Sequence, residues 1–86
     1  MKAKKMATKT KVKIYSTKWC AHCTQAKRFF DENKVKYENI DVEKNAKARE
    51  EMIKKSGQMG VPVIDINGTI ITGFDRVAIK AALHLH

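Results

Sequence analysis

Residues 12–24 read Val12-Lys13-Ile14-Tyr15-Ser16-Thr17-Lys18-Trp19-Cys20-Ala21-His22-Cys23-Thr24, and the period of the chain changes inside this stretch. Val12 to Ser16 alternates well enough for a strand. From Cys23 to about Asn33 the apolar residues Ala26, Phe29 and Phe30 recur at helical spacing, with Lys27 and Arg28 on the wet side. A strand-to-helix junction puts Cys20 at a helix N-terminus, where unpaired backbone N–H groups and the positive end of the helix dipole favour an anion. The thiolate is the attacking form of cysteine, so such a position raises the reactive fraction at neutral pH. Both cysteines of the chain stand here, and their spacing lets Cys23 reach the Cys20 sulfur within one helical turn. The pattern predicts a redox site.

Three other uses of the pair compete with that one. A structural zinc site wants four ligands, usually as two separated pairs, and the remaining candidates are His22 and the C-terminal His84 and His86. A structural disulfide closing so short a loop constrains the unfolded chain little. An inert buried pair needs an apolar setting, not Lys18, Trp19 and His22.

Downstream, Val35 to Ile40 is a second strand, which a helical crossover makes parallel and right-handed to the first. Asp41 lies in a plausible N-cap region for a second helix, roughly Lys44 to Lys55, built around Ala48, Met52 and Ile53. Ser56-Gly57 stops it. Met52 and Met59 are expected to be packing residues rather than ligands. Val61 to Ile66, Asn67-Gly68 and Thr69 to Thr72 then form a strong hairpin signal, an Asn-Gly turn between β-branched runs. Gly73 breaks the strand, and Asp75 can cap a last helix whose Ala78, Ala81, Ala82 and Leu85 face the sheet. The order β-α-β-α-β-β-α predicts an α/β fold, a four-stranded mixed sheet with helices on both faces.

The chain has 86 residues, 43% of them hydrophobic, enough for one domain. Its net charge of +9 is concentrated: six lysines fall within residues 1–13 without an acid, so the remainder carries +3. Residues 1–10 read as a flexible lysine-rich tail and 11–86 as the folded domain. The tail carries no aromatics for base stacking, so it is read as a solvated segment rather than a nucleic-acid arm. No apolar run approaches the ~20 residues that span a bilayer. The basic start of the chain has no apolar stretch after it, so the expected location is the cytoplasm, with no membrane partner.

With a Cys-x-x-Cys opening the first helix, the element order resembles the thioredoxin fold, and the short length resembles glutaredoxins; the likeness covers residues 12 to about 84. Gly60-Val61-Pro62-Val63 resembles the loop that in this family carries a cis-proline facing the cysteines. Gly73-Phe74-Asp75 resembles the turn that in glutaredoxins receives the γ-glutamyl end of glutathione. The chain departs from the usual dithiol pattern in having Ala21 and His22 between the cysteines, and Thr17 where a lysine is usual, with Lys18 one place later. Thr72-Gly73-Phe74-Asp75-Arg76 keeps one glycine and one aspartate of the usual Gly-Gly-x-Asp-Asp. Trp19 is a thioredoxin trait, and the Gly-Phe turn resembles glutaredoxin-like proteins that serve ribonucleotide reductase and draw electrons from thioredoxin reductase.

The resemblance implies a dithiol thiol–disulfide oxidoreductase that reduces protein or glutathione mixed disulfides, with Cys20 and Cys23 catalytic. Lys18, Trp19, His22, Val61, Pro62, Gly73, Phe74 and Asp75 are its substrate-binding candidates. Val61 would pair with an extended substrate, Trp19 and Phe74 would supply apolar walls, and Asp75 is a helix cap before it is a glutathione contact. His22 is expected to tune the couple rather than relay protons, and Lys18 to add positive charge beside the thiolate. No metal and no bound cofactor are expected; glutathione or a thioredoxin-reductase system would reset the pair. A monomer suffices. The competing function is an iron–sulfur cluster module, holding its cluster between two subunits through Cys20 and glutathione, which the resolving Cys23 and the reduced turn disfavour.

Overall fold

In the computed structural model, which describes residues 11–83, Val12 and Ile14 point to one face of the first strand and Tyr15 to the other, and all are buried. This strand, β1 (Val12–Ser16), is therefore internal. It pairs in parallel with β2 (Glu38–Asp41), Tyr15 opposite Ile40, and antiparallel with β3 (Val63–Ile66), Ile14 opposite Ile64. A tight turn joins β3 to β4 (Thr69–Thr72), giving the sheet order β2-β1-β3-β4. At that turn both Asn67 (φ 51°) and Gly68 (φ 95°) are left-handed, as a two-residue hairpin loop requires.

Three helices cover the sheet: α1 (Ala21–Glu32), α2 (Ala46–Ser56) and α3 (Arg76–Leu83). One core cluster joins Ala26, Phe29 and Phe30 of α1 and Ile79 of α3 to Val12, Ile14, Ile64, Ile66 and Ile71. The other joins Ala48 and Met52 of α2 to Tyr15 and Val63. Burying each of the larger of these side chains contributes about 1.5–3 kcal/mol. The expected thioredoxin fold is the observed one.

Boundaries differ where local hydrogen bonding overrides the apolar pattern. The strand expected from Val35 starts at Glu38, because Lys34 turns left-handed (φ 57°) and the Val35 N–H closes back on the Phe30 carbonyl at 2.8 Å. Val35 and Tyr37 instead pack against the α1 cluster. Asp41 does not cap α2: it ends β2 and accepts the Glu43 N–H, while Asn45 Oδ1 accepts the Ala48 N–H at 3.0 Å. Capping of this kind contributes about 1 kcal/mol. The third strand starts at Val63, not Val61. Ala81 faces solvent, and Ile79 takes the buried place with Ala78, Ala82 and Leu83 beside it. Met59 is 62% exposed rather than packed, since it stands in the loop beyond α2 with no helix face to bury it. The lysine-rich tail read at residues 1–10, and Leu85, lie outside the described residues.

On the α2 face the sheet carries a polar knot. Lys55 Nζ donates to Asp65 Oδ2 at 2.7 Å and to the Tyr15 hydroxyl at 3.0 Å, and that hydroxyl donates to Glu51 Oε1 at 2.7 Å. Burial pushes the Tyr15 phenol up. Burial also opposes ionisation of Asp65, but the Lys55 ammonium and the Gly68 N–H together outweigh it and hold the carboxyl below its ordinary 3.8. The hydrogen bond to Asp65 holds Lys55 above its ordinary 10.5.

A depressed carboxyl stabilises the fold above its unfolded pKa, and the contribution is lost as pH falls through the folded one. A raised ammonium stabilises below its unfolded pKa, and that contribution is lost as pH rises through the folded value. Asp65→Asn should therefore cost about 1–3 kcal/mol at neutral pH, a range between exposed and buried ion pairs. The deficit should begin to shrink as pH drops below about 4, where the unfolded carboxyl protonates first, and approach zero once pH passes below the folded value. Urea unfolding of both proteins from pH 2.5 to 8 measures it; a deficit independent of pH would contradict the ionised pair.

Candidate active site

Cys20 and Cys23 are joined as a disulfide at the mouth of α1, with their Cα atoms 5.1 Å apart. Cys20 is the N-cap: its backbone is extended (φ −108°, ψ 109°) and its Sγ accepts the Cys23 N–H at 3.1 Å. Its carbonyl accepts both the N–H and the hydroxyl of Thr24, at 3.1 and 3.2 Å. The sulfur thus takes the place of the side-chain oxygen that ordinarily satisfies a first-turn donor. Cys23 is fully buried, on the helical stripe of Ala26 and Phe30, whereas Cys20 is half-exposed. The two sulfurs differ in access although they share a turn.

The approach to α1 is fixed from the sheet side. Ser16, the last residue of β1, is buried, donates from Oγ to Asn39 Oδ1 at 2.6 Å and accepts the Val42 N–H on its carbonyl at 3.0 Å. Thr17 to Trp19 then bridge to Cys20, with Lys18 exposed and Trp19 86% exposed. His22 is exposed on the first turn. Trp19 therefore stands clear of the core beside the disulfide, an unusual place for a side chain of that size.

The Val61–Pro62 peptide is cis, with Pro62 buried and Val61 partly exposed. The Pro62 carbonyl accepts the Gly73 N–H at 2.8 Å, so the turn before α3 is bonded to the proline loop. Phe74 is half-buried and meets Phe29 edge-on, with ring centroids 6.0 Å apart. Much of its ring belongs to the core, which leaves less of it for an apolar wall than the sequence promises. Asp75 Oδ1 accepts the Ala78 N–H at 3.1 Å and caps α3. Arg76, the next residue, lays its guanidinium 5.7 Å from the centroid of the Phe29 ring.

Sequence reasoning missed two neighbours of these segments. Met59, exposed two places before Val61, adds a second large apolar side chain to a loop of the region; its position between Gly57 and Gly60 was the available signal. Arg76 carries a positive charge into the first turn of α3, where an acid would suit the helix dipole better, and its contact with Phe29 offsets that. A half-buried cysteine at the helix cap, joined to a fully buried one, forms a two-electron dithiol–disulfide couple.

The glutaredoxin family model matches residues 12–71. A glutaredoxin-like 8.6 kDa protein from the rubredoxin operon of Clostridium pasteurianum is 41% identical over 68 residues, 79% of this chain and 91% of that one. Glutaredoxin 3 of Escherichia coli K12 is 39% identical over 64 residues, 74% of this chain and 77% of that one. Among solved structures, a mutant of the thioredoxin-like protein BC3987 superposes with a TM-score of 0.82 at 28% identity, over 87% of this chain and 96% of that one.

The difference in access predicts a difference in labelling. After reduction, iodoacetamide should modify Cys20 at least about tenfold faster than Cys23 at pH 7, because alkylation follows exposure and thiolate character. Peptide mapping by mass spectrometry reads the two sites, and equal rates would contradict the asymmetry.

Proposed function

The chain belongs to the glutaredoxin family and is a thiol–disulfide oxidoreductase, and from that premise we propose that Cys20 is its attacking sulfur and Cys23 its resolving one. The carrying observation is that Cys20 is only half-buried and its Sγ accepts the Cys23 N–H at 3.1 Å, while Cys23, one turn on, is fully buried. In the reduced protein, the first-turn N–H groups and the helix dipole would stabilise negative charge on Cys20, with Lys18 adding charge nearby.

The steps balance as two thiol–disulfide exchanges. The Cys20 thiolate attacks one sulfur of a substrate disulfide, forming a mixed disulfide and expelling the other sulfur as thiolate. Cys23 loses its proton to water and its thiolate attacks Cys20 Sγ, forming the Cys20–Cys23 disulfide and releasing the second substrate sulfur. Two electrons reach the substrate, the two leaving thiolates take up protons, and the protein ends in the oxidised state seen here. An external thiol reductant runs the sequence backwards on the protein disulfide.

Substrate is held, in this reading, along the Val61–Pro62 loop. Among the described residues no backbone–backbone hydrogen bond involves residues 58–61, so the Val61 peptide groups are open to an extended segment that adds itself as a strand. Trp19 and Met59 offer apolar surface beside that segment, Lys18 and His22 flank the sulfur, and Gly73, Phe74 and Asp75 close the far side. Disulfide-bearing proteins and glutathione mixed disulfides are the substrate class. Glutathione, or a thioredoxin reductase as the Gly73-Phe74 turn suggests, is the electron donor. NADPH oxidation with each reducing system in turn identifies which. Reduction of this kind belongs to a reducing compartment, and we place it in the cytoplasm. Among the described residues no helix is long and apolar enough to cross a membrane.

Cys20→Ser should abolish reduction of a model disulfide, a loss of roughly three orders of magnitude or more. Cys23→Ser should keep the first attack and accumulate the mixed disulfide, visible by mass. Turnover retained in Cys20→Ser overturns the assignment.

A further inference from the structure

We propose that Lys55 and Asp65 form a staple that positions the Val61–Pro62 segment, making both of them positioning residues for the disulfide exchange; the proposal rests on the substrate-pairing role given to Val61 above. Neither side chain hydrogen-bonds to either cysteine among the described residues. What they join is the two ends of one loop. The chain leaves α2 at Ser56, reverses at Gly57 in the left-handed conformation (φ 75°) and returns as β3 at Val63. Lys55 stands just before that excursion and Asp65 just after it, and they meet at 2.7 Å.

Inside the excursion the chain is held mainly by short-range side-chain bonds. Ser56 Oγ donates to the Met52 carbonyl at 2.7 Å and accepts the Gln58 N–H at 3.2 Å, and Gln58 Nε2 donates to the Gly60 carbonyl at 3.4 Å. Among the described residues its one backbone hydrogen bond across to the rest of the site is the Gly73 N–H on the Pro62 carbonyl at 2.8 Å, while the Val61 side chain packs on the Tyr15, Met52 and Val63 cluster and Pro62 is buried. Apolar packing seats the Val61 side chain, and the direction of its peptide groups is left to the Gly73 bond on one side and the root of the loop on the other.

The root is held in three directions at once. Lys55 also donates to the Tyr15 hydroxyl in β1, and Asp65 uses its second oxygen, Oδ1, to accept the Gly68 N–H at 2.8 Å. Both ends of the ion pair are thus fixed by partners of their own, and the Lys55 and Asp65 side chains are only 27% and 13% exposed. A charged pair gives this junction a direction that apolar packing lacks, because its hydrogen bonds fix the axial position of α2 against β3. Closing the ends of a short loop also removes freedom from everything between them. A substrate strand needs its N–H and C=O partners within a few tenths of an ångström of the right place, so slack at the root becomes weaker pairing at Val61.

The test separates substrates that have a backbone from those that lack one. The full chain, its Lys55→Met variant (which keeps the apolar stem) and Asp65→Asn are assayed with a ten-residue peptide carrying a mixed disulfide and with bis(2-hydroxyethyl) disulfide. The staple predicts a KM for the peptide raised about five- to tenfold, about 1–1.4 kcal/mol of binding, with kcat within about twofold. The KM for the small disulfide should not change, and Lys55→Arg should restore the peptide KM. An unchanged peptide KM, or an equal loss on both substrates, overturns the proposal. A second readout needs no turnover: in Lys55→Met the Gly73 amide should exchange with solvent about tenfold faster while the Phe30 amide does not. Unaltered Gly73 exchange overturns the staple even if wild-type protein reduces both disulfides. Failure of the wild-type protein to reduce either one would instead count against Cys20 as the attacking sulfur.

Discussion

Cys23 lies on the same buried stripe of α1 as Ala26 and Phe30, and this shared face governs the chemistry at the helix mouth. Three residues before Cys23 the helix has not yet begun, so a cysteine at position 20 can only be the cap. Packing of Phe30 against the sheet thereby decides that one sulfur is buried and the other partly open. The core and the active site are consequently one object: the side chains that hold α1 on β1 also set the order in which the sulfurs can be reached.

Most of the architecture was legible because it was written in short-range signals. The alternation of Val12 to Ser16, the Ala26–Phe30 stripe, Ser56-Gly57 and Asn67-Gly68 each specify their local backbone with little outside help. The failures fall where a backbone bond beat an apolar pattern. Val35 and Tyr37 look like strand residues, yet they serve the core as a connection because Lys34 adopts a left-handed turn. Asp41 and Asn45 are both competent caps, and only the end of β2 decides between them. On the last helix Ala78 and Ala82 pack as expected, and only the choice of Ala81 over Ile79 fails, on a helix too short to show its face clearly.

The site was legible to a similar depth. The cysteines, the Pro62 loop and the capping Asp75 are carried by local patterns, whereas the occupation of Phe74 by Phe29 depends on a contact that no local pattern encodes. Least visible of all was the polar knot of Tyr15, Glu51, Lys55 and Asp65. Its members are spread over 51 positions on three elements, and in the sequence each looks like an ordinary surface charge or a strand aromatic.

Lys11 exchanges two hydrogen bonds with Asn67, its N–H to Oδ1 at 2.8 Å and its carbonyl to the Asn67 N–H at 2.9 Å. The polypeptide is thereby pinned at the end of β1 remote from the disulfide, a strand's length of about 16 Å away at the usual rise per residue. Thr69, exposed at the β3–β4 turn beside this bond, lies on the same far rim, so a fluorophore or surface linker carried there starts away from the disulfide. The protein can be immobilised or tethered to another enzyme through that turn with its reactive face turned outward.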